Sequence, residues 1–314
     1  MDKLPVVALV GATATGKSGL AYRLARSLDG EIISGDSMQI YKGMDIGTAK
    51  PTREERQAVP HHLIDIAEIT EAFSVAVFIE KATMAINDIA KRGRLPIIAG
   101  GTGLYISLLL SGTLLPCLDS DEKLRNKLFE KAKIEGNEAL HKYLKTVDPK
   151  SAEKIHPNNV KRVVRAIEIY LTSGLTKTEQ SEKSRQSDSP YDYKLIYLTS
   201  SDRNLLYNRI NTRVDKMFDT GLEAEVKSLY EKGLADTPTA SQAIGYKEFF
   251  RYFKGQTDLI SVSEEIKKHT RKYAKRQMTF FNGMEGKMIF DISTEAEESI
   301  YKKIYDICQP LKEA

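Results

Sequence analysis

A chain of 314 residues, 41% hydrophobic and 29% charged, has the length for a large core in more than one domain and the composition of a soluble globular protein. No apolar run reaches the length of a membrane span, and a formal net charge of +4 is too mild to announce a nucleic-acid binder, so that question turns on where the charge sits. Two cysteines, Cys117 and Cys308, form no metal or redox pattern and read as a reduced, cytoplasmic chain; a strand begins too near the N-terminus to leave room for a signal peptide.

In chain order, Val6 to Val10 is a short apolar run that reads as a buried parallel strand. It leads into Gly11, Ala12, Thr13, Ala14, Thr15, Gly16, Lys17 and Ser18, which satisfy the phosphate-loop pattern of Gly, four residues, Gly-Lys-Ser. Ser18 to Leu28 follows as a helix, with Leu20, Leu24 and Leu28 recurring along one side. Glu31 to Ser34 is a second short strand. It ends in Gly35-Asp36-Ser37-Met38-Gln39, so Asp36 lies beyond a strand's carboxyl end, where ligands of open α/β sheets sit. Gly43 to Pro60 reads as a polar loop with a helical turn, and His61 to Ile66 as a third strand. Val75 to Lys91 is a long helix. Leu95 to Ala99 is another buried strand, and it runs into a second glycine loop, Gly100-Gly101-Thr102-Gly103, that opens a helix from Leu104 to Leu110.

Beyond Leu118 the strands vanish. Asp121 to Glu135, Asn137 to Thr146 and Asn158 to Leu171 read as helices, and Ser181 to Tyr191 as an exposed loop. Strand character returns at Lys194 to Leu198, and the remainder is helix-rich. The fold class is α/β: a P-loop NTPase-like parallel sheet flanked by helices over residues 1–118 and 194–314, with an all-helical insertion over 119–193.

The chemistry starts at the phosphate loop. Its glycines let successive N–H groups curl toward an anion, and the helix that follows adds the positive end of its dipole. Lys17 adds a full charge, and the Ser18 hydroxyl suits a magnesium ion. No strand ends in the clean second acid of an ATPase; Asp36 comes nearest and Asp65 is a poor second. In the second loop Thr102 offers a hydroxyl and a backbone N–H to the same anion, or merely closes a tight strand-to-helix turn. Lys267 to Arg276 holds six cations and no acid, with Lys268, Lys272 and Arg276 in one i, i+4 ladder and Lys267, Arg271 and Lys275 in another. Such a run meets phosphates or is a solvated face. Lys161, Arg162 and Arg165 pose the same choice, opposite an apolar face built from Val160, Val163, Val164, Ile167 and Leu171. His61 and His62 do not read as a metal site, because strand neighbours point to opposite faces and no partner cluster accompanies them.

These residues together resemble the tRNA dimethylallyltransferases, in their bacterial form. The resemblance is carried by Gly11 to Ser18, Ser34 to Pro51, His61 to Asp65, Gly100 to Gly103, His156 to Glu168, Arg213 with Gly221 to Val226, and Thr270 to Gln277, so it spans nearly the whole chain. It implies transfer of the dimethylallyl group of dimethylallyl diphosphate to N6 of the adenosine just 3′ of the anticodon. Magnesium would be the cofactor, with no ATP chemistry, and the insertion would grip the tRNA anticodon stem-loop. It further implies that Asp36, Ser37, Met38 and Gln39 touch the target adenosine and that Thr102 and Arg125 lie near substrate. Lys161, Arg162, Val163, Val164 and Arg165 would contact tRNA, joined by Lys268, Lys272 and Arg276, and Arg213 would reach the diphosphate. Asp36, Thr102 and Arg213 are the expected catalytic residues, in a monomer without membrane contact. The chain departs from the family in lacking the Trp often found at Phe280 or Phe281, and the C-terminal zinc finger of eukaryotic members.

The chemistry agrees with that expectation. The exocyclic amine of adenine is a poor nucleophile, so a carboxylate that takes its proton as the C–N bond forms is needed, and Asp36 is placed for it. Here the phosphate loop clamps a leaving group, and the target base must leave its stack. Three alternatives stay open on sequence: an isopentenyltransferase of free adenine nucleotides, a small-molecule kinase, and a non-catalytic RNA-binding protein.

Overall fold

The computed structural model describes residues 3–113, 122–179 and 189–313. They fall into two compact units: residues up to Leu110 together with those from Pro190 onward, and the intervening Ser111–Ser189. The expected boundary after 118 lies outside the described residues. The one at 194 moves earlier because the fifth strand starts at Tyr191, opposite Leu4.

The larger unit is built on one six-stranded sheet with every pairing parallel. Its strands are β1 (Leu4–Gly11), β2 (Gly30–Ser34), β3 (His61–His62), β4 (Leu95–Gly100), β5 (Tyr191–Thr199) and β6 (Lys287–Asp291), in the spatial order β3-β2-β4-β1-β5-β6. Helices cover both faces, which is why the central strands are apolar along their whole length. On one face α1 (Lys17–Ser27) packs with Ile300, Ile304 and Cys308 of the C-terminal helix Glu297–Glu313 against Val7, Leu9, Ile32, Ile97 and Ile196. The other face seats the long helix Val75–Lys91, with Phe78, Ala82, Ile86 and Ile89 buried, against Val6, Ala8, Val10, Ile33 and Ile98. Adjacent strand residues therefore enter opposite cores. Burial raises the Cys308 thiol to about 12, so it is an inert core group.

The order β2-β4-β1 has a functional consequence. These three neighbours run the same way, so the loops that follow them emerge side by side at one edge of the sheet. That brings together the phosphate loop after β1, the turn at Asp36 after β2 and the second glycine loop after β4.

Three local readings change. The strand expected over His61 to Ile66 stops at His62, because Leu63 and Asp65 take positive φ values of 62° and 56° that leave the extended region. Strand β6 was hidden in a stretch expected to be helical. Its run Lys-Met-Ile-Phe-Asp is short, and it forms a sheet edge with Ile289 57% exposed, so it lacks the continuous apolar signal of the central strands. A short helix, Pro149–Lys154, also joins the expected helices of the smaller unit, with Asp148 capping its start by accepting from Ser151 N at 3.0 Å.

The described part of the smaller unit is helical, with helices Glu122–Glu135, Asn137–Val147, Pro149–Lys154 and Val160–Ser173. Leu128, Leu140, Leu144, Val163, Val164 and Ile167 form its core.

Candidate active site

The phosphate loop takes the shape its sequence requires. Gly11 lies so close to β5 that a Cβ there would sit 2.2 Å from the carbonyl oxygen of Leu198. Gly16 is left-handed at φ 88° and caps α1 without any side-chain hydrogen bond, so the helix's first N–H groups are left facing the loop. Thr15 Oγ1 donates to the Ala12 carbonyl at 2.8 Å and Lys17 Nζ donates to the same oxygen at 2.6 Å. Thr13 differs from expectation: its N–H donates to Gln277 Oε1 at 2.9 Å.

Lys17 and Arg213 define the electrostatics. Arg213 stands on the helix Arg203–Asp219. Burial, and then the neighbouring Arg213 charge, hold the Lys17 ammonium down at about 7, while Asp36 pulls the other way. Burial likewise lowers Arg213, again opposed by Asp36. Neither cation has an ion-pair partner among the described residues. A surface salt bridge from Arg213 to Asp215 or Glu223 does not form: Asp215 pairs with Lys267 at 2.7 Å, and Glu223 accepts from the Tyr252 hydroxyl at 2.9 Å. Two cations held close together with no ion-pair partner among the described residues suit a polyanion.

The turn after β2 is held from both sides. Asp36 Oδ1 accepts from Met38 N at 2.8 Å, and its second oxygen accepts nothing from the described residues. Gln39 is a strut: Oε1 accepts from Ser34 Oγ at 2.8 Å, and Nε2 donates to the carbonyls of Thr48 and Ala49 at 3.2 and 3.3 Å. Both ends of its amide thus have partners within the protein. Thr102 is also redirected. Its N–H donates to Gly35 O at 3.1 Å, so that group is not offered to an anion, while Oγ1 accepts from Ser37 N at 3.1 Å. The second glycine loop therefore positions the Asp36 turn.

Two adjoining cavities open here. A polar one of about 190 Å³ is lined by Thr13, Lys17, Ser18, Asp36 and Arg213. The other, of about 250 Å³, has Met38, Val214, Met217 and Ile266 in its wall. Asp36, Arg213 and Tyr273 line both. Burial, then the Asp36 charge, push the Tyr273 phenol up to about 12, so it stays a hydrogen-bond donor.

Tyr273, Gln277 and Glu225 were legible in the sequence only as members of motifs, with no role assigned to any of them. Glu225 accepts from the N–H groups of Asp45, Ile46 and Gly47 at 3.1, 2.7 and 3.2 Å and from the Tyr246 hydroxyl at 2.6 Å, and so secures the segment leading to Thr48 in the cavity wall. The signal for Gln277 was a polar residue inside the apolar stripe of Val262, Ile266, Ala274 and Phe281.

The basic residues sort by their neighbours. On the helix Leu259–Asn282, Lys267 pairs with Asp215 and Glu264, and Arg271 donates to Asn211 Oδ1 at 2.6 Å. Lys268 and Lys272 are exposed, with no ion-pair partner among the described residues; exposed Arg276 lies 5.6 Å from the Tyr273 ring and lines the larger cavity. In the smaller unit Arg125 and Arg165 both bind the buried Glu168 carboxylate, each at 3.0 Å, which fixes their guanidinium groups at the surface. Lys161 and Arg162 are exposed beside them in sequence. Val163 and Val164 are core residues at 0% and 1% exposure, so the expected RNA contact cannot come from their side chains. His62 pairs with Glu31 at 2.6 Å, and the described residues contain no cluster of three metal-binding side chains.

Comparison with known proteins gives a consistent picture. The family model for IPP transferase matches residues 39–284. A tRNA dimethylallyltransferase from an Exiguobacterium strain is 48% identical over 306 residues, covering 98% of this chain and 96% of the relative. One from Geobacillus thermodenitrificans is 50% identical over 288 residues, covering 92% and 90%. Among solved structures, the full-length tRNA isopentenylpyrophosphate transferase from Bacillus halodurans superposes with a TM-score of 0.73 at 43% identity, covering 99% of this chain and 97% of its own. A eukaryotic dimethylallyltransferase acting on tRNA superposes with a TM-score of 0.81 at 30% identity, covering 98% and 80%.

Proposed function

This chain belongs to the IPP transferase family, and from that membership we infer the reaction its site performs: it is a tRNA-prenylating enzyme that moves a dimethylallyl group from dimethylallyl diphosphate to N6 of the adenosine 3′ of the anticodon, releasing diphosphate. The observation that carries the reading is the shared wall of the two cavities. Asp36 and Arg213 stand where a polar, cation-lined chamber meets a mixed one that carries an apolar patch of Met38, Val214, Met217 and Ile266, which suits a substrate with a diphosphate head and a five-carbon apolar tail.

In the reaction, N6 attacks the prenyl carbon and the bond from that carbon to the diphosphate oxygen breaks. The free Asp36 oxygen takes the amine proton. Negative charge gathers on the departing diphosphate, where Lys17, Arg213 and the N–H groups at the start of α1 receive it in a low-dielectric site. Magnesium fits the hard oxygen donors Ser18 and Asp36, which line one chamber; bound there it would neutralise diphosphate charge. The basic surfaces at Lys268, Lys272 and Arg276 and at Lys161, Arg162 and Arg165 match the phosphates of a tRNA anticodon arm. Among the described residues no helix is long and apolar enough to cross a membrane. Our reading is of a monomer working on free tRNA in the cytoplasm.

The test is single-turnover prenyl transfer to unmodified tRNA, followed by nucleoside analysis, with Asp36→Asn measured across a magnesium titration. Asp36→Asn should slow the chemical step by roughly 10²–10⁴-fold with the diphosphate still bound. Rescue by high magnesium would make Asp36 a metal organiser, and transfer to AMP in preference to an anticodon stem-loop would overturn the tRNA assignment.

A further inference from the structure

We propose that Gln277 is a positioning residue for prenyl transfer: its side-chain amide ties the phosphate loop to the second glycine loop, and so sets the separation between the departing diphosphate and the attacking amine. The inference rests on the reading of the site given above.

The need for such a tie follows from the topology. The β1–β4 ladder ends at the pair Val10 and Gly100. Beyond it the two loops part, one toward the leaving group and the other toward the Asp36 turn. Gln277 closes that gap. Oε1 accepts from Thr13 N at 2.9 Å and Nε2 donates to Gly101 O at 3.0 Å. Among the described residues no other side chain bonds both loops. The linkage continues through Thr102, whose N–H donates to Gly35 O at 3.1 Å and whose Oγ1 accepts from Ser37 N at 3.1 Å; these two residues flank Asp36. The result is a short path of hydrogen bonds from the diphosphate clamp to the base.

The fit is two-sided. Gln277 is 6% exposed, and both ends of its amide are satisfied, so the amide can neither rotate nor shift without leaving a buried polar group unpaired. Gly101 is shaped to receive it: a Cβ there would lie 2.1 Å from Gln277 Nε2, although the Gly101 backbone is in a region open to any residue. A displacement between reacting groups costs much more in rate than in binding, about 10²-fold for 1 Å. Through Gln277 this helix takes a part in the chemical step without touching either substrate's reacting atoms.

The experiment uses the full chain, dimethylallyl diphosphate, magnesium and unmodified tRNA. Gln277→Met keeps the length of the side chain and removes both hydrogen bonds. Its single-turnover rate per active site should fall about 10–100-fold, with KM for both substrates within about threefold of the parent. An unchanged rate per site with a reduced active fraction would show a purely structural role, and a raised KM for the diphosphate at unchanged rate would show that Gln277 only shapes the phosphate loop; either overturns the proposal. Gly101→Ala, Gln277→Ala and the double variant give an independent reading. Gly101→Ala alone should displace Gln277 and slow transfer, yet add little in the Gln277→Ala background; multiplying losses would overturn the proposal. If the parent chain itself transfers no prenyl group to tRNA, the functional reading fails, and not the linkage.

Discussion

Replacing Lys17 with methionine should make the free protein more stable while destroying its use of the diphosphate. The ammonium is enclosed beside Arg213, and its proton affinity falls from the ordinary 10.5 to about 7. At about 1.4 kcal/mol per tenfold change in affinity, holding the charged form there costs on the order of 5 kcal/mol. Methionine removes that cost but also loses the 2.6 Å bond to Ala12 O, a charge-assisted contact worth about 1.5–3 kcal/mol. A net gain of about 2–3.5 kcal/mol remains, or roughly 3–5 °C in melting temperature for a chain of this length. The sign can be followed with pH. Because the folded value is below the unfolded one, the unfolded chain holds more protons between about pH 7 and 10.5, and parent stability rises with pH across that window. The cost that Lys17→Met removes is therefore complete below pH 7, less than half as large at pH 9 and gone above 10.5; the lost contact to Ala12 O offsets what remains, so the variant's net advantage disappears near pH 9. Thermal melts at pH 6 and pH 9, with and without diphosphate and magnesium, measure it. Diphosphate should raise the parent's melting temperature and leave the variant's unchanged. A variant less stable than the parent at pH 6, or a difference that does not move with pH, would refute the reasoning.

Arg213→Lys should keep the diphosphate bound but lower turnover at least about tenfold, since an ammonium cannot bind two oxygens of the leaving group in one plane; full single-turnover activity would remove Arg213 from the mechanism. Glu225→Gln takes the charge from a carboxylate that holds three backbone N–H groups and the Tyr246 hydroxyl, so melting should fall by about 1–3 kcal/mol equivalent and hydrogen exchange should quicken at residues 45–47. Lys268→Ala and Lys272→Ala should each flatten the log–log salt dependence of tRNA binding by about one, whereas Lys267→Ala, whose charge is already paired with Asp215 and Glu264, should leave the slope unchanged. Equal slopes for all three would return the helix to a plain solvated face.

What could be read without coordinates was local. The strands β1, β2, β4 and β5 and the helix Val75–Lys91 were legible because burial on both sheet faces forces continuous apolar runs, and a helix buried on one side forces a 3.6-residue period. The phosphate loop was legible because its glycines answer backbone demands made within a few residues, as at Gly16 with its left-handed φ of 88°. Strand β6 and the end of β3 were not legible: one is a short edge half in water, and the other stops at positive φ values that the apolar composition of Leu63 and Ile64 conceals. The site divides the same way. Lys17 and Asp36 were named from motif and position and Arg213 from the family resemblance, but the burial that, with the Arg213 charge, lowers Lys17 to about 7 required the fold. For Thr102 and Gln39 the location was legible but not the intramolecular partners, because a hydrogen bond is chosen by whatever the packing brings near. Gln277 is the extreme case. Its partners Thr13 and Gly101 lie 264 and 176 residues away, and no pattern along the chain carries a contact that exists only once a C-terminal helix is laid across the carboxyl edge of an N-terminal sheet.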